Sequence, residues 1–398
     1  MTSKDITLQT MRRLLENDST LDEVRIASIN NNLRVFACNE IAYLTPKNKF
    51  GFKMGGENIG NNTKVSKLVI CSIDEEYMET FMNGVKRNNN IHTLVFVGWH
   101  VHNGAVFPPL SPWLENNCNL TTLQIVRCPL GSNGVKLLAS ALANNNSLEH
   151  ISIRMCSVLD DDTFDELVNV LDKNAKQLIR LDLNDNNIGT NGCSTLAKLC
   201  CNKKCLLKNL NVSHNDINDE GIAHLAKALT QNNRLKELNL NGNAITEEGW
   251  RSLATALCNS ESISDIYLSN HSLQSIGISS DRWFKRNNAD IVLYLSMNKG
   301  GDNDVNEIDP FVPIQKILQH DTEWDISMYI DEDMGLLPYI LEWEEYAGFL
   351  NTNYSKITNG KKRDYRRRLQ SIKNKTIHEF VKAFPVVVVG KLQSTLES

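Results

Sequence analysis

The chain has 398 residues, 41% of them hydrophobic, with a formal net charge of −5 and a pI near 6.0. That balance gives no global attraction to nucleic acid, and no stretch approaches the roughly 18–20 consecutive apolar residues a membrane span needs. Ten cysteines, behind a start (MTSKDITLQTMRRLLEN) without an apolar leader, predict reduced thiols in a cytoplasmic protein rather than a disulfide framework.

Residues 6–15 are expected to form a short helix within a polar N-terminal cap, residues 1–20. A degenerate repeat begins at Leu21. It runs into an irregular insertion, RVFACNEIAYLTPKNKFGFKMGGENIGNN (34–62), so 21–64 reads as one irregular unit. A regular beat then sets in, opening on Val65, Ile91, Leu120, Leu148, Leu178, Leu207, Leu235 and Ile263, with a degenerate copy near Asp290. Two copies, LKNLNVSHNDINDEGI and LKELNLNGNAITEEGW, lie 28 positions apart (235 − 207). Self-similarity at a step of roughly 28 residues predicts stacked repeats over 65–298.

The best copies read L-x-x-L-x-L-x-x-N-x-I. One is Leu178, Leu181, Leu183, Asn186 and Ile188, and the next two start at Leu207 and Leu235. In L-x-L the apolar residues alternate, so Leu238 and Leu240 face the core of a short strand and Asn239 faces away. Asn243 stands where the strand turns, and its amide can satisfy backbone groups the turn leaves unpaired. Stacking predicts an asparagine ladder, with Cys128 and Cys156 as smaller substitutes. The second half of each repeat has helical spacing, as in Ile222, Leu225, Ala226 and Leu229. Asp219, Glu220, Glu247 and Glu248 fall at helix starts, where the helix dipole favours negative charge. Asn-rich runs at 144–146 and 231–233 are read as helix stops.

One strand and one helix cannot bury their apolar faces alone, so neighbours must stack. Paired strands lie about 4.8 Å apart and packed helices 8–10 Å, so the stack is expected to curve with its strands inside. The predicted architecture is an α/β horseshoe, with a parallel sheet on the concave face and helices on the convex one. The pattern resembles the ribonuclease-inhibitor-like class of leucine-rich repeats, which includes the repeat domains of intracellular immune receptors and of the Ran GTPase-activating protein. The resemblance implies a scaffold that binds proteins, and it names no partner.

Beyond the repeats, 299–309 reads as a linker and 310–398 as a helical C-terminal cap. From 361 to 384, Tyr365, Leu369, Ile372, Ile377, Phe380 and Phe384 form an apolar stripe opposite a basic one. The expected role is a cap helix over the last repeats, its basic side meeting the acidic stretch 302–345. KKRDYRRR (361–368) also matches a nuclear-import signal, and the helix a membrane-surface or calmodulin-target segment.

The residue patterns predict no enzyme. No GxxxxGK[ST] phosphate loop is present. Cys193, Cys200, Cys201 and Cys205 lack the paired spacing of a zinc site, and His100 with His102 lacks further ligands. Ser213 and His214 should diverge across a turn, so with Asp185 they make no triad. No catalytic residue, cofactor or metal is expected, and a monomer is. The alternative is an activator of a small GTPase resembling the Ran regulator, although that family's long acidic tail is missing.

The strand pattern predicts which side chains reach the concave surface. Counting the first leucine as one, position three runs Thr93, Thr122, His150, Arg180, Asn209, Glu237, Asp265. Position five runs Val95, Gln124, Ser152, Asp182, Asn211, Asn239, Tyr267, position seven Val97, Val126, Arg154, Asn184, Ser213, Asn241, Ser269, and position eight Gly98, Arg127, Met155, Asp185, His214, Gly242, Asn270. The expected protein-binding residues are Arg127, Arg154, Arg180, Asp182, Asp185, His214, Glu237, Asp265 and Tyr267, because arginine and tyrosine dominate binding hot spots. The irregular repeat after Ile91 suggests a packed break, or a partner contact near Trp99, Phe107 and Trp113.

Overall fold

From Lys67 to Asn239 the L-x-L cores become short parallel strands, and helical halves among the described residues become helices behind them. The computed structural model describes residues 3–27, 42–44, 49–73, 75–98, 113–115, 119–156, 161–174, 177–261, 265, 268–278 and 282–299. Two units divide the chain, 1–259 with 269–313 and 260–268 with 314–398, and the repeats lie in the first. The strands of that unit are β1 (Glu23–Ala27), β2 (Ala42–Leu44), β3 (Lys67–Ser72), β4 (Thr93–Val97), β5 (Thr122–Val126), β6 (His150–Arg154), β7 (Arg180–Asp182), β8 (Asn209–Asn211) and β9 (Glu237–Asn239). They form one open, wholly parallel sheet in the order β2-β1-β3-β4-β5-β6-β7-β8-β9. From β3 onward spatial order is chain order, as stacking requires. Only residues 42–44, within the irregular insertion, depart from it, forming the outer edge beside β1.

The helices are α1 (Ser3–Leu15), α2 (Lys49–Asn61), α3 (Glu75–Val85), α4 (Gly131–Leu142), α5 (Asp161–Asn174), α6 (Thr190–Cys201), α7 (Asp219–Leu229), α8 (Glu247–Leu257), α9 (Arg282–Asn287) and α10 (Ala289–Asn298). Consecutive helices pack side by side: α2 on α3, and α4 through α8 in turn. The core lies between helices and sheet. Leu181, Leu210 and Leu238 of the strands and Leu196, Ile222, Leu225 and Leu253 of the helices are all buried. Helix spacing decides how closely two rungs approach. A Cβ on Gly84 of α3 would stand 2.3 Å from the Gly56 carbonyl carbon of α2, so these helices meet backbone to backbone.

The asparagine ladder forms as expected. Asn215 Oδ1 accepts from Asn186 N (3.0 Å) and Ile188 N (2.9 Å), and its Nδ2 donates to Leu183 O (3.0 Å). Asn186 repeats this toward Cys156 N and Ile153 O, and Asn243 toward Ile217 N and Val212 O. Cys156 Sγ donates in the same direction, to Ile125 O at 3.5 Å. The asparagines read as helix stops turn out to form a second ladder. Asn232 Nδ2 bonds Cys200 O of the previous rung (2.7 Å), while its Oδ1 accepts from Arg234 N and Leu235 N. Asn62, Asn88, Asn145 and Asn270 do likewise at their own rungs. Each ties the end of one helix to the start of the next strand.

Three expectations need correction. The rung after β9 does not start at Ile263: Glu237 pairs with Ser275, and Leu238 N and Leu240 N donate to Ser275 O and Ile276 O. Asp265 lies in a helical turn instead, Tyr267 is outside the described residues, and Ser269, Asn270 and His271 are buried ahead of the rung rather than on the sheet. The physical reason is the second ladder: Asn270, three residues before Leu273, locks the strand start, and nothing equivalent precedes Ile263. Next, the copy near Asp290 is not a strand. Ile291, Tyr294 and Leu295 are buried at helical spacing in α10, so that run packs as a helix. Finally, position eight is not strand. Gly98, Arg127, Met155, Asp185, His214 and Gly242 all have left-handed φ, from 52° to 69°, because the chain leaves the sheet there.

Residues 300–398 lie outside the description, and with them the linker after Lys299, the C-terminal cap, the basic stripe and the import motif. His100, His102, Trp99 and Phe107 are outside it too; Trp113 is buried.

Candidate functional site: the helix-free face of the sheet

Alternation sends every second side chain of each strand away from the helices. The register aligns these side chains into rows that cross the sheet. The position-three row runs Glu23, Lys67, Thr93, Thr122, His150, Arg180, Asn209, Glu237. It begins on a closed cluster. Glu23 takes Lys67 Nζ at 2.7 Å and Arg25 Nε at 2.6 Å. Burial alone would raise the Glu23 carboxyl, yet these bonds hold it below the usual carboxylate range. At the far end, Asn209 Nδ2 donates to Glu237 Oε2 at 2.5 Å.

The middle rows divide the face by chemistry. On β3 to β5 they carry Val69, Cys71, Val95, Val97 and Val126. Val95, flanked by Val69 and Gln124, is only 6% exposed, whereas Val97 and Val126 stay half-exposed. On β7 to β9 the same rows become polar and bond one another. Asp182 Oδ1 accepts from Asn184 N and Asn211 Nδ2, and Ser213 Oγ donates to Asn211 Oδ1 while accepting from Asn184 Nδ2. Asp182, Asn211 and Asn239 each accept from the backbone two residues on, which turns the chain out early. These strands have three residues, whereas β4, β5 and β6 have five.

The structure brings together some of the expected binding residues and separates others. Arg127 and Arg154 are neighbours at the C-terminal end of β5 and β6, with Arg127 N donating to Arg154 O (2.9 Å). Arg180 pairs with His150, four residues back along the strand, which is about 13 Å away at about 3.3 Å per residue. The three arginines therefore form a pair and an outlier. Arg154 Nε lies 3.8 Å from Asp182 Oδ2, outside hydrogen-bond reach. Asp185 and His214 occupy adjacent slots, as expected, without a bond between them; a Cβ on Gly242 would come within 2.5 Å of His214 Nδ1, so that ring lies over the glycine. Glu237 sits on the same face, two strands from Arg180. Sequence reasoning passed over Met155 as a binding residue. It is 39% exposed, and its sulfur meets Arg127 Nε at 3.4 Å. Its place in the position-eight row, one rung beyond Arg127, was the available signal.

The Ser213 hydroxyl is engaged by Asn211 and Asn184. Among the described residues, no group of three or more His, Cys, Asp or Glu side chains could hold a metal ion. Burial pushes the Cys193 and Cys200 thiols up to about 12, as it does in apolar packing. No helix among the described residues is long and apolar enough to cross a membrane.

Stacked strand–helix rungs, an asparagine ladder and one sheet face free of helices among the described residues define a leucine-rich-repeat solenoid. The family model described as "Leucine Rich repeat" matches residues 116–139, 177–197, 203–226 and 231–254. The chain is a leucine-rich repeat protein. It is 30% identical over 127 residues to NACHT, LRR and PYD domains-containing protein 12 of Mus musculus, a match covering 32% of this chain and 12% of that protein. It is 26% identical over 193 residues to protein 5 of that series in Mus musculus, covering 47% and 16%, and 29% identical over 146 residues to the Homo sapiens protein 5, covering 36% and 12%. The chain thus spans a small part of these relatives' length. Among solved structures, the actin-binding site 2 of leiomodin-1 aligns with 43% of this chain and 91% of its own at 15% identity and a TM-score of 0.33. An internalin of Listeria monocytogenes aligns with 59% and 72% at 13% identity and a TM-score of 0.29. Likenesses at such TM-scores carry no argument.

Proposed function

We propose that this chain is a non-enzymatic scaffold of the ribonuclease-inhibitor-like class, docking a partner protein on the helix-free face of its sheet. The observation that carries the reading is the face itself. Its rows change from valine, through arginine, to a self-bonded Asp–Asn–Ser network, while the opposite face is consumed by helix packing. Arg127, Arg154, Arg180, Asp182, Asp185, His214 and Glu237 are the residues of this face that a partner would meet. Membership of a repeat family that serves protein interaction supports the reading. A reducing, cytoplasmic setting fits the eight cysteines among the described residues, which are thiols rather than disulfides.

The test is quantitative affinity capture with the full chain. One variant replaces Arg127, Arg154 and Arg180 by glutamine; a control combines Lys198→Glu on α6 with Glu166→Lys on α5, both exposed on helices. Proteins that bind the face disappear with the first variant and persist with the second. An identical captured set from both would overturn the assignment.

A further inference from the structure

The face is not uniformly adhesive, and one part of it is chemically incomplete. Where β4, β5 and β6 end, the register sets Val97, Val126 and Arg154 side by side. Immediately beyond them stand Arg127 and Met155, both exposed, both with φ near 55°. The left-handed turn aims these two side chains out of the sheet's end, where each N–H is already bound to the next rung. Arg154 Nε is withdrawn from solvent and makes no hydrogen bond, and neither does the buried Ser152 Oγ two residues earlier on the same face. A guanidinium N–H without an acceptor leaves a desolvated donor unsatisfied. Among the described residues, Asp182 is the only carboxylate within 4.0 Å of either guanidinium, and its other oxygen is engaged by Asn184 and Asn211. Asp185, one rung past Met155, forms no ion pair with either arginine. Arg127, with no carboxylate partner among the described residues, and Arg154, held only by the 3.8 Å pair with Asp182, therefore border an apolar strip of Val97, Val126 and Met155.

Resting on the docking reading above, we propose that this patch selects a protein segment presenting a carboxylate directly beside a large apolar side chain. The carboxylate would pair with the Arg154 guanidinium, whose side chain is 40% exposed, and bridge to Arg127, since guanidinium–carboxylate pairing is directional and charge-assisted. The apolar neighbour would lie on Val126 and Met155, whose unbranched thioether adapts to varied shapes. Arg180, about 13 Å away along the strand direction, takes no part.

A library of random 12-residue peptides is selected against the full chain, and the enriched peptides are measured by fluorescence anisotropy. Enrichment of Asp or Glu next to Leu, Phe or Trp is expected. Affinity should fall at least about tenfold on Arg154→Gln and on Met155→Ser, weaken with added salt, and change less than about twofold on Arg180→Gln. Arg154→Lys, which keeps the charge but not the fork, should fall between. Circular dichroism confirms that each variant is folded. Enriched peptides without acidic residues, no enrichment at all, or equal binding to Arg154→Gln would overturn the proposal. Binding lost on Arg180→Gln or Glu237→Gln but kept on Arg154→Gln would overturn it while leaving the docking face intact. Indifference to every face variant would remove both.

Discussion

Replacing Asn215 by alanine tests the ladder most directly. Asn215 is 7% exposed, and its amide serves three buried backbone groups: Asn186 N, Ile188 N and Leu183 O. Its fourth bond, to Ser213 O, does not enter the sum, because that carbonyl also accepts from Asp185 N and Asn184 Nδ2. A buried polar group left unsatisfied costs about 1–3 kcal/mol. Water entering the vacated space would recover part of this, so the expected loss is about 3–5 kcal/mol. Asn215→Cys should lose about half as much, since a thiol can donate weakly, as Cys156 does to Ile125 O, but cannot serve both N–H groups as the amide does. The control is Asn241→Ala on the exposed turn, expected within about 0.5 kcal/mol of the parent. Urea unfolding followed by far-UV circular dichroism reads all three. If Asn215→Ala unfolds within about 1 kcal/mol of Asn241→Ala, or if the cysteine variant is as weak as the alanine one, the ladder does not bind the rungs as argued.

Three further outcomes are expected. Gly84→Ala should destabilise by about 2 kcal/mol net, because its Cβ meets Gly56 C at 2.3 Å and Glu57 N at 2.4 Å, backbone atoms that cannot swing aside, against a helix-propensity gain of about 1 kcal/mol; Gly189→Ala, with open space around it, should be nearly neutral, and equal unfolding midpoints would refute the close approach. In alkylation at pH 8 read by peptide mapping, Cys201 should react well ahead of Cys193 and Cys200, whose thiols near 12 are ionised only about one part in 10⁴; simultaneous labelling would contradict their burial. The bonds from Arg13 and Thr20 hold the Asp18 carboxyl near 2 against a usual 3.8, so its stabilisation is present above about pH 3.8 and lost as pH falls toward 2. Asp18→Asn should thus be less stable at pH 6, with the gap to the parent closing in that window; a gap independent of pH would show that the carboxylate is not the cause.

Much of this molecule was written in its periodicities. A two-residue alternation and a 3.6-residue stripe, repeated at a constant step, can be satisfied only by stacked strand–helix rungs, and the ladder followed from an amide or thiol at one fixed slot. Those features depend on neighbours within a repeat, which the chain itself specifies. The sequence also carries a second signal: asparagine three residues before the first apolar position marks a strand start at Asn62, Asn88, Asn145 and Asn232, and Asn270 points by the same rule to Leu273 over Ile263. Other features depended on register between rungs. Which arginines are neighbours, that Val95 is withdrawn while Val126 is not, and that Arg154 is left without an acceptor depend on which residue lies opposite which. A shift of four positions along a strand moves a side chain about 13 Å, and no pattern within one repeat encodes that. The left-handed turn at position eight likewise came from tertiary structure. Arginine, methionine, aspartate and histidine accept that conformation alongside two glycines because each turn's N–H is held by the adjacent rung.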